Sequence, residues 1–284
     1  MVELSPLVRF LSYLFLCSVM LSIGLEVSWR QILDTLRDWS LLGRALVANL
    51  ALVPLLGLVL VRLFPMSPDI AAGMLILAAA PGAPFAVQFT SKAKDSGAFA
   101  AALLFVLTAV ALVATPSIAG LLVHADTPLT LPVWRVVRGA ILYLLLPLFG
   151  GFVLQRWGGS LARALRKPAT ICAAVCFPAV TVLTIDMKSA ATRTIGVSAL
   201  VALFLLVVGA MLLGWLMGGP DTGTRRVLAT GTGMRNVMVA LLIAVTSFPN
   251  SDVDLAVLAF SALMVPPNLI LTMYQNRKVK RFAA

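Results

Sequence analysis

Arg235 is the residue whose surroundings most clearly point to chemistry, because it places a cation in the middle of a long apolar stretch. It belongs to the segment Gly231-Thr232-Gly233-Met234-Arg235-Asn236, which interrupts an apolar run over residues 225–247. An arginine at the centre of a membrane-spanning helix costs at least about 2.5–3.5 kcal/mol, so it should face the protein interior and have a partner. A guanidinium is a planar fork of donors that suits a carboxylate. Arg235 is therefore either a structural cation held by loose carbonyls of another broken helix or the anchor of an anionic substrate.

A second interruption lies in the apolar run over residues 69–91, at Ala80-Pro81-Gly82-Ala83-Pro84-Phe85. Two prolines remove two backbone donors, so the helix is expected to open there. Counted as apolar stretches that could each cross the membrane, the two interrupted stretches are the third and the eighth, five apart. When a repeat recurs after an odd number of membrane crossings, its second copy has the opposite orientation in the membrane. Paired breaks of this kind are typical of transporters built from inverted repeats, in which the half-helices meet at the binding site. Two unrelated kinks are the alternative, because Gly and Pro are common in membrane helices.

The composition indicates which elements must hold these interruptions. Of the 284 residues, 61% are hydrophobic and 12% are charged, and the mean hydropathy is +1.02. A soluble domain is about a quarter charged, so a soluble enzyme, a disordered protein and a disulfide-stapled secreted domain are excluded. The cysteines, Cys17, Cys172 and Cys176, lie inside apolar runs, and no second Cys/His cluster completes a metal site.

Nine apolar stretches are long enough to cross about 30 Å of hydrocarbon as helices. We predict an all-α polytopic membrane protein that forms a single transporter unit over residues 1–284. Its first repeat covers about 7–123, its second about 132–274, and a basic cytoplasmic tail covers 275–284. The predicted spans are 7–25, 40–63, 69–91, 97–123, 132–155, 168–186, 194–218, 225–247 and 253–274.

The net charge of +11 would suggest a nucleic-acid partner in a soluble protein, but the cytoplasmic loops of membrane proteins collect Lys and Arg. With nine spans, one membrane face holds fifteen of the 22 basic residues, in or beside the loops 26–39, 91–96, 156–167 and 219–226 and at the C-terminus. We therefore predict no nucleic-acid partner and an integral protein of a bacterial inner or plasma membrane, with its N-terminus outside and its C-terminus cytoplasmic. The other face holds six basic residues: Arg9, Arg62, Arg135, Arg138, Lys188 and Arg193.

The sequence holds no recognisable catalytic set. No D-D-x-x-D, H-E-x-x-H or G-x-S-x-G pattern stands at a membrane face, and no Walker motif is present. The single histidine, His124, lies in a predicted loop. We predict that the protein is not an enzyme and has no catalytic residues, no metal site and no cofactor.

Four stretches occur in an order and spacing that resemble the bile acid:sodium symporter family. They are LCSVMLSIGLEV at 16–27, the segment 46–58 with Pro54, AAGMLILAAAPGAPF at 71–85 and ATGTGMRNVMVALLIA at 229–244. The resemblance covers nearly the whole chain and implies the nine-span form of that fold. It also implies a panel domain beside a core domain, with the two discontinuous helices crossing in the core. The implied function is transport of organic anions such as bile acids and other carboxylates or sulfates.

The chain departs from the family pattern where the resemblance implies sodium ligands. The sodium-ligating Glu is replaced by Gly231, and the Gln that follows Gly-Met is replaced by Arg235, while the next Asn is kept as Asn236. Sodium prefers a cage of carboxylate, carbonyl and hydroxyl oxygens, so bound sodium is not expected. The degraded sodium-site positions are Asn49, Ala86, Val87, Ala100, Leu104 and Gly231.

We predict a secondary transporter that moves a small organic anion, bile-acid-like or a smaller carboxylate, by alternating access in the lipid bilayer. Transport is expected to be sodium-independent, with Arg235 in place of the bound sodium. The predicted substrate-binding residues lie at the two breaks and on the half-helix that follows the first: Pro81, Gly82, Ala83, Pro84, Phe85, Gln88, Thr232, Gly233, Arg235 and Asn236.

Two other functions stay open at the level of the sequence. A membrane sensor or scaffold of the same fold would bind the anion without moving it. A metalloid-anion exporter shares the broad architecture but is expected to use a cysteine at the first crossing, and this chain has none between Pro81 and Thr90.

Overall fold

A computed structural model of the chain describes residues 6–26, 30, 33, 37–82, 97–126, 133–187, 195–248 and 251–282. The elements within these ranges are all helical. Two of the helices, α2 and α5, each contain a short π-helical segment. In chain order the helices are α1 (Pro6–Glu26), α2 (Trp39–Leu63), α3 (Pro68–Ala79), α4 (Gly97–Asp126), α5 (Val133–Ala140, Ile141–Leu145 and Leu146–Trp157), α6 (Gly159–Met187), α7 (Val197–Met217), α8 (Thr222–Gly233), α9 (Val237–Ser247), α10 (Val253–Leu263) and α11 (Val265–Phe282).

Side-chain caps fix where several of these helices begin. Asp38 accepts a hydrogen bond from Leu41 N at 3.0 Å at the start of α2, and Asp221 accepts one from Thr224 N at 2.7 Å at the start of α8. Ser67 caps α3, which has Pro68 in its first turn. Such caps satisfy backbone donors that have no partner within the helix, so the chain leaves each loop at a defined residue.

Six helical segments in the described ranges are long and apolar enough to cross a membrane, and two shorter apolar segments accompany them, namely α3 (Pro68–Ala79) and Val113–His124 within α4. Three tryptophans near helix ends, Trp39, Trp134 and Trp157, are 75%, 77% and 78% exposed, as expected of residues at a membrane–water interface. The described part of the chain is thus all-helical, as predicted, and its six candidate spans are consistent with a polytopic membrane protein, while nine spans and the inverted repeat stay predictions. The six candidate spans are Pro6–Glu26, Trp39–Leu63, Val137–Trp157, Val197–Met217, Thr222–Ser247 (α8 with α9) and Val253–Met273 (α10 with part of α11).

Glycines allow close approach between neighbouring helices. α1 packs against α5 and α6, and a Cβ added at Gly24 of α1 would collide with Leu148 O of α5. A Cβ added at Gly214 of α7 would likewise collide with Leu228 O of α8. Small residues at such contacts let membrane helices pack backbone against backbone.

The two interrupted spans occupy the centre of the bundle. Every residue of α9 from Val237 to Val245 is buried, and so is every residue of α3 from Ile70 to Ala79. Because both elements are surrounded by protein, the backbone groups that their breaks expose are shielded from lipid, as opened backbone at membrane depth requires.

Candidate functional site

The first break follows α3, where the helix ends at Ala79 and Gly82 has a φ of +76°. A Cβ at Gly82 would lie 2.7 Å from Thr108 N of α4, so glycine is required both by the backbone conformation and by the close approach. Hydroxyls of α4 occupy two carbonyls at this end: Thr115 Oγ1 donates to Ala79 O at 3.0 Å, and Thr108 Oγ1 donates to Gly82 O at 3.3 Å. The opening expected at Pro81 and Gly82 is therefore present.

The second break separates α8 from α9, and it begins later than the sequence predicts. Gly231, Thr232 and Gly233 continue α8, and Met234 N still donates to Thr230 O at 2.9 Å. The weak helix propensity of glycine amounts to about 1 kcal/mol per residue, which burial readily overrides. The break is thus confined to Met234, Arg235 and Asn236.

The two breaks meet through the backbone. Asn236 N donates to Ala80 O at 2.9 Å, which joins the start of α9 to the end of α3. Residues 156 positions apart in the chain are thereby held at one point in the centre of the bundle.

Arg235 lies at this point and is 1% exposed. Its Nε donates to Leu77 O at 3.1 Å, and its Nη2 donates to Ala78 O at 2.6 Å and to Asn49 O at 3.3 Å. Its Nη1 donates to Asn49 Oδ1 at 2.7 Å and to Thr232 O at 3.5 Å. A guanidinium has five N–H donors, so the number of bonds equals the number of donors.

Neutral oxygens compensate this charge. Leu77 and Ala78 lie in the last turn of α3, and Thr232 lies in the last turn of α8. The carbonyl ends of helices carry a partial negative charge that stabilises a nearby cation. Within the described ranges, no carboxylate pairs with Arg235. We call the guanidinium with these carbonyls and Asn49 the Arg235 cage.

Asn49 reaches the cage from the π-helical segment Ala48–Leu52 of α2. In a π-helix a carbonyl accepts from the N–H five residues later, as Ala48 O does from Val53 N. The same pattern would pair Asn49 O with the N–H of residue 54. That residue is Pro54, which has no N–H, and Arg235 takes the free carbonyl. Asn49 Nδ2 donates to Ala45 O at 2.9 Å and to Thr232 Oγ1 at 3.0 Å. Both polar atoms of the Asn49 side chain are therefore hydrogen-bonded, since Oδ1 accepts from Arg235.

Unlike Asn49, Asn236 has a side-chain polar atom without a hydrogen-bond partner in the described part of the chain. Its side chain is completely buried, and its Oδ1 accepts from Val239 N at 3.2 Å as the cap of α9. Its Nδ2 finds no acceptor in the described part of the chain. An unpaired buried donor is unfavourable by about 1–3 kcal/mol, and it lies beside the positive end of the α9 dipole. This corner has the chemistry to take an anion.

The other predicted site residues divide as follows. Pro81, Gly82, Thr232 and Gly233 lie at the meeting point, and Gly231 lies one turn before it in α8. Ala100 and Leu104 belong to α4, but their side chains lie outside the described part. Their proposed roles, and those of the following residues, stay predictions. Residues that lie outside the described ranges altogether are Ala83, Pro84, Phe85, Ala86, Val87 and Gln88.

Sequence reasoning missed the residues that complete the site by their backbone or hydroxyl groups. Thr108 and Thr115 are ordinary residues of an apolar helix, and nothing in their spacing marks them. Pro54 belongs to the family resemblance over 46–58, and the sequence alone does not show that its position five residues after Asn49 frees the Asn49 carbonyl. The signal for Pro54 exists only once the π-helical register is known.

Two comparisons with known proteins bear on this site. The model of the Sodium Bile acid symporter family matches residues 13–215 of the chain. A similar protein is the probable sodium/metabolite cotransporter BASS5, chloroplastic, of Arabidopsis thaliana, which is 23% identical over 283 residues and aligns with 92% of this chain and 67% of its own length. The match includes α3 and most of the Arg235 cage, while Arg235 itself follows the matched residues.

Proposed function

The chain belongs to the sodium bile acid symporter family, a family of membrane transporters, and from this premise we propose that it is a secondary carrier that moves a small organic anion without sodium. The anion is bile-acid-like or a smaller carboxylate, and the mechanism is alternating access. The Arg235 cage is the observation that supports the sodium-independence. The carrier has nine spans in two inverted repeats, its N-terminus outside and its C-terminus cytoplasmic, in a bacterial inner or plasma membrane.

The cage has the donor set of a cation site. Sodium is a hard cation that takes carbonyl, carboxylate and hydroxyl oxygens, and here Leu77 O, Ala78 O and the two Asn49 oxygens surround a guanidinium. A fixed positive charge occupies the space that a sodium ion would need and repels it, since like charges a few ångströms apart interact strongly in a medium of low dielectric. Gly231, in place of the family's carboxylate, removes the negative charge that would attract sodium.

The anionic head of the substrate is held at the start of α9 in this proposal. Asn236 Nδ2 is the donor available there, since Val237 N and Val239 N already donate to Arg235 O and Asn236 Oδ1. The opened backbone at Pro81–Gly82 adds further polar groups. The five hydrogen bonds of Arg235 favour a role as the resident cation, which attracts the anion through its charge. Direct contact between Arg235 and the substrate stays a prediction, and it requires one of these bonds to break.

Uptake into proteoliposomes tests the proposal. The full-length protein is reconstituted, and uptake of labelled taurocholate and benzoate is measured in sodium buffer and in choline buffer, with protein-free liposomes as the control. Equal saturable uptake in both buffers is the expected result. Uptake that collapses in choline contradicts sodium-independence, and binding without exchange of labelled for unlabelled anion would instead identify a sensor.

A further inference from the structure

Two further cations, Arg9 and Arg138, line a cavity of about 350 Å³ away from the Arg235 cage. Arg9 and Tyr13 of α1, Arg138, Leu142 and Tyr143 of α5, and Val245 of α9 contribute to its lining. The cavity therefore lies where α1 and α5 begin and where α9 ends. Its volume is within the range of about 300–1,000 Å³ that small-molecule sites have. We call it the outer cavity, because the predicted topology places it at the external membrane face.

The two arginines of the outer cavity have no compensating groups within the described ranges. Nε of Arg9 is buried and has no hydrogen-bond partner there, and neither guanidinium joins an ion pair or a hydrogen bond. Glu26 pairs with Arg166 at 3.1 Å, at the other end of α1 and about 25 Å from Arg9 along the helix. Two unpaired cations at one cavity repel each other, so an anion between them would relieve both the repulsion and the missing hydrogen bonds.

Apart from the hydroxyl-bearing Thr246, the rest of the lining is apolar or aromatic. The rings of Tyr13 and Tyr143 stack with centroids 4.2 Å apart and an interplanar angle of 16°. Tyr13 lies one turn after Arg9 on α1, and Leu142 lies one turn after Arg138 on α5, so each arginine shares a helix face with an apolar neighbour. A ligand that matches this arrangement has a charged head and an apolar body.

We propose that the outer cavity binds an amphipathic organic anion, with its carboxylate or sulfate between Arg9 and Arg138 and its apolar body against Tyr13, Tyr143 and Leu142. The inference rests on the proposed function in one respect, namely that this anion is also the transported one. α9 connects the two places, since it begins at the Asn236 cap and ends beside the cavity, a distance of about 15 Å. The outer cavity is then the loading site from which the anion passes to the crossing.

Ligand-induced thermal stabilisation of the purified full-length protein tests this site. The probes are benzoate, its uncharged counterpart benzamide, and cyclohexanecarboxylate, which keeps the charge without the aromatic ring. The variants are Arg9→Gln, Arg138→Gln and, to keep the charge, Arg9→Lys. The matched control is Arg62→Gln, which removes one exposed charge at the end of α2, on the same predicted membrane face.

We expect benzoate and cyclohexanecarboxylate, but not benzamide, to stabilise the wild type and Arg62→Gln. The apparent Kd for benzoate should rise at least about 10-fold in Arg9→Gln and in Arg138→Gln, and less in Arg9→Lys, because each neutral variant removes one charge-assisted contact. Unchanged affinity in both neutral variants, or equal stabilisation by benzamide, overturns the site. Affinity lost in Asn236→Asp but kept in both neutral variants would place the anion at the crossing, which overturns the outer cavity and leaves the proposed function intact. Sodium-dependent uptake by the wild type would overturn the proposed function without affecting benzoate binding here.

Discussion

Arg235 and the pair formed by Arg9 and Arg138 are cations with opposite surroundings, since Arg235 is buried in the helix bundle whereas Arg9 is partly buried and Arg138 is exposed. Arg235 makes five hydrogen bonds to oxygens of α2, α3 and α8. Arg9 and Arg138 border a cavity, and neither makes a hydrogen bond or an ion pair in the described part of the chain. The first cation is built into the scaffold, whereas the other two keep their donors for a ligand.

The difference shows that membrane depth alone does not identify a substrate contact. A buried cation can serve as a permanent substitute for an ion when helix ends and amide oxygens surround it. A cation nearer the membrane face needs less compensation, because its charge reaches the interface more easily. The predictions below test this contrast, from the largest expected effect to the smallest.

Removal of the Arg235 side chain should destabilise the protein most. In Arg235→Leu, Asn49 Oδ1 and the carbonyls of Leu77 and Ala78 lose their donor, and each unsatisfied buried acceptor is unfavourable by about 1–3 kcal/mol. We expect a loss of about 3–5 kcal/mol, measured by thermal unfolding in detergent. Arg138→Leu is the matched control and should change the stability by less than about 1 kcal/mol. Equal losses in the two variants would contradict the contrast.

Restoration of the family's residues should convert the cage into a sodium site. The double variant Gly231→Glu/Arg235→Gln replaces the fixed cation by a carboxylate and an amide, which supply the oxygens that sodium prefers. Sodium should then stabilise the variant by about 1–3 kcal/mol relative to choline, as a ligand at about 10–100 times its Kd does, and it should leave the wild type unchanged. Arg235→Gln alone is the control for the carboxylate. A wild type that sodium stabilises equally would refute the substitution of Arg235 for the ion.

The donor of Asn236 should matter for transport more than for stability. Asn236→Asp keeps an oxygen that caps α9, since Asp and Asn cap helices about equally well, but it replaces the unpaired Nδ2 by a carboxylate oxygen. Loss of one hydrogen bond to a charged group is worth about 1.5–3 kcal/mol, so anion uptake should fall about 10-fold to 150-fold.

The control is Asn236→Ser, which keeps both a cap and a donor and should retain more uptake than Asn236→Asp. The unfolding temperatures of the two variants check that the cap is preserved. Retention of full uptake in Asn236→Asp would remove Asn236 from the proposed substrate site.

The sequence predicted the central features of the crossing because they depend on local chemistry. Pro81 removes a donor and Gly82 permits a positive φ, so the first helix must open there. An arginine in an apolar span must be satisfied, and the carbonyls of the other broken helix were one of its two expected partners. Both expectations use only the residue itself and the surrounding membrane.

The remaining features depend on tertiary structure, which no single segment contains. The end of α8 at Gly233 is decided by burial against α7, where Met211 lies close to Gly233. The outer cavity requires Arg9 and Arg138 to approach from helices 129 positions apart, and in the sequence both residues served only as markers of a membrane face. Their lack of acceptors is visible only after the helices are packed.

The hydroxyls of α4 should have the smallest effect, because each serves one carbonyl at the first break. Thr115→Val keeps the shape of the side chain and leaves Ala79 O without the donor at 3.0 Å, while Thr108→Val does the same to Gly82 O at 3.3 Å. We expect losses of about 1 kcal/mol each, with Thr115→Val the larger, since shorter hydrogen bonds are stronger and an unmade buried bond is unfavourable. Thermal unfolding measures both, and Thr246→Val, whose hydroxyl donates within α9 at 2.7 Å, is the control for loss of a threonine hydroxyl away from the break. Ala79 O lies beside the carbonyls that hold Arg235, so Thr115→Val and Arg235→Leu should both act on the end of α3. The double variant should therefore lose less stability than the sum of the two single losses. Additive losses would show that the Thr115 bond and the Arg235 cage are independent.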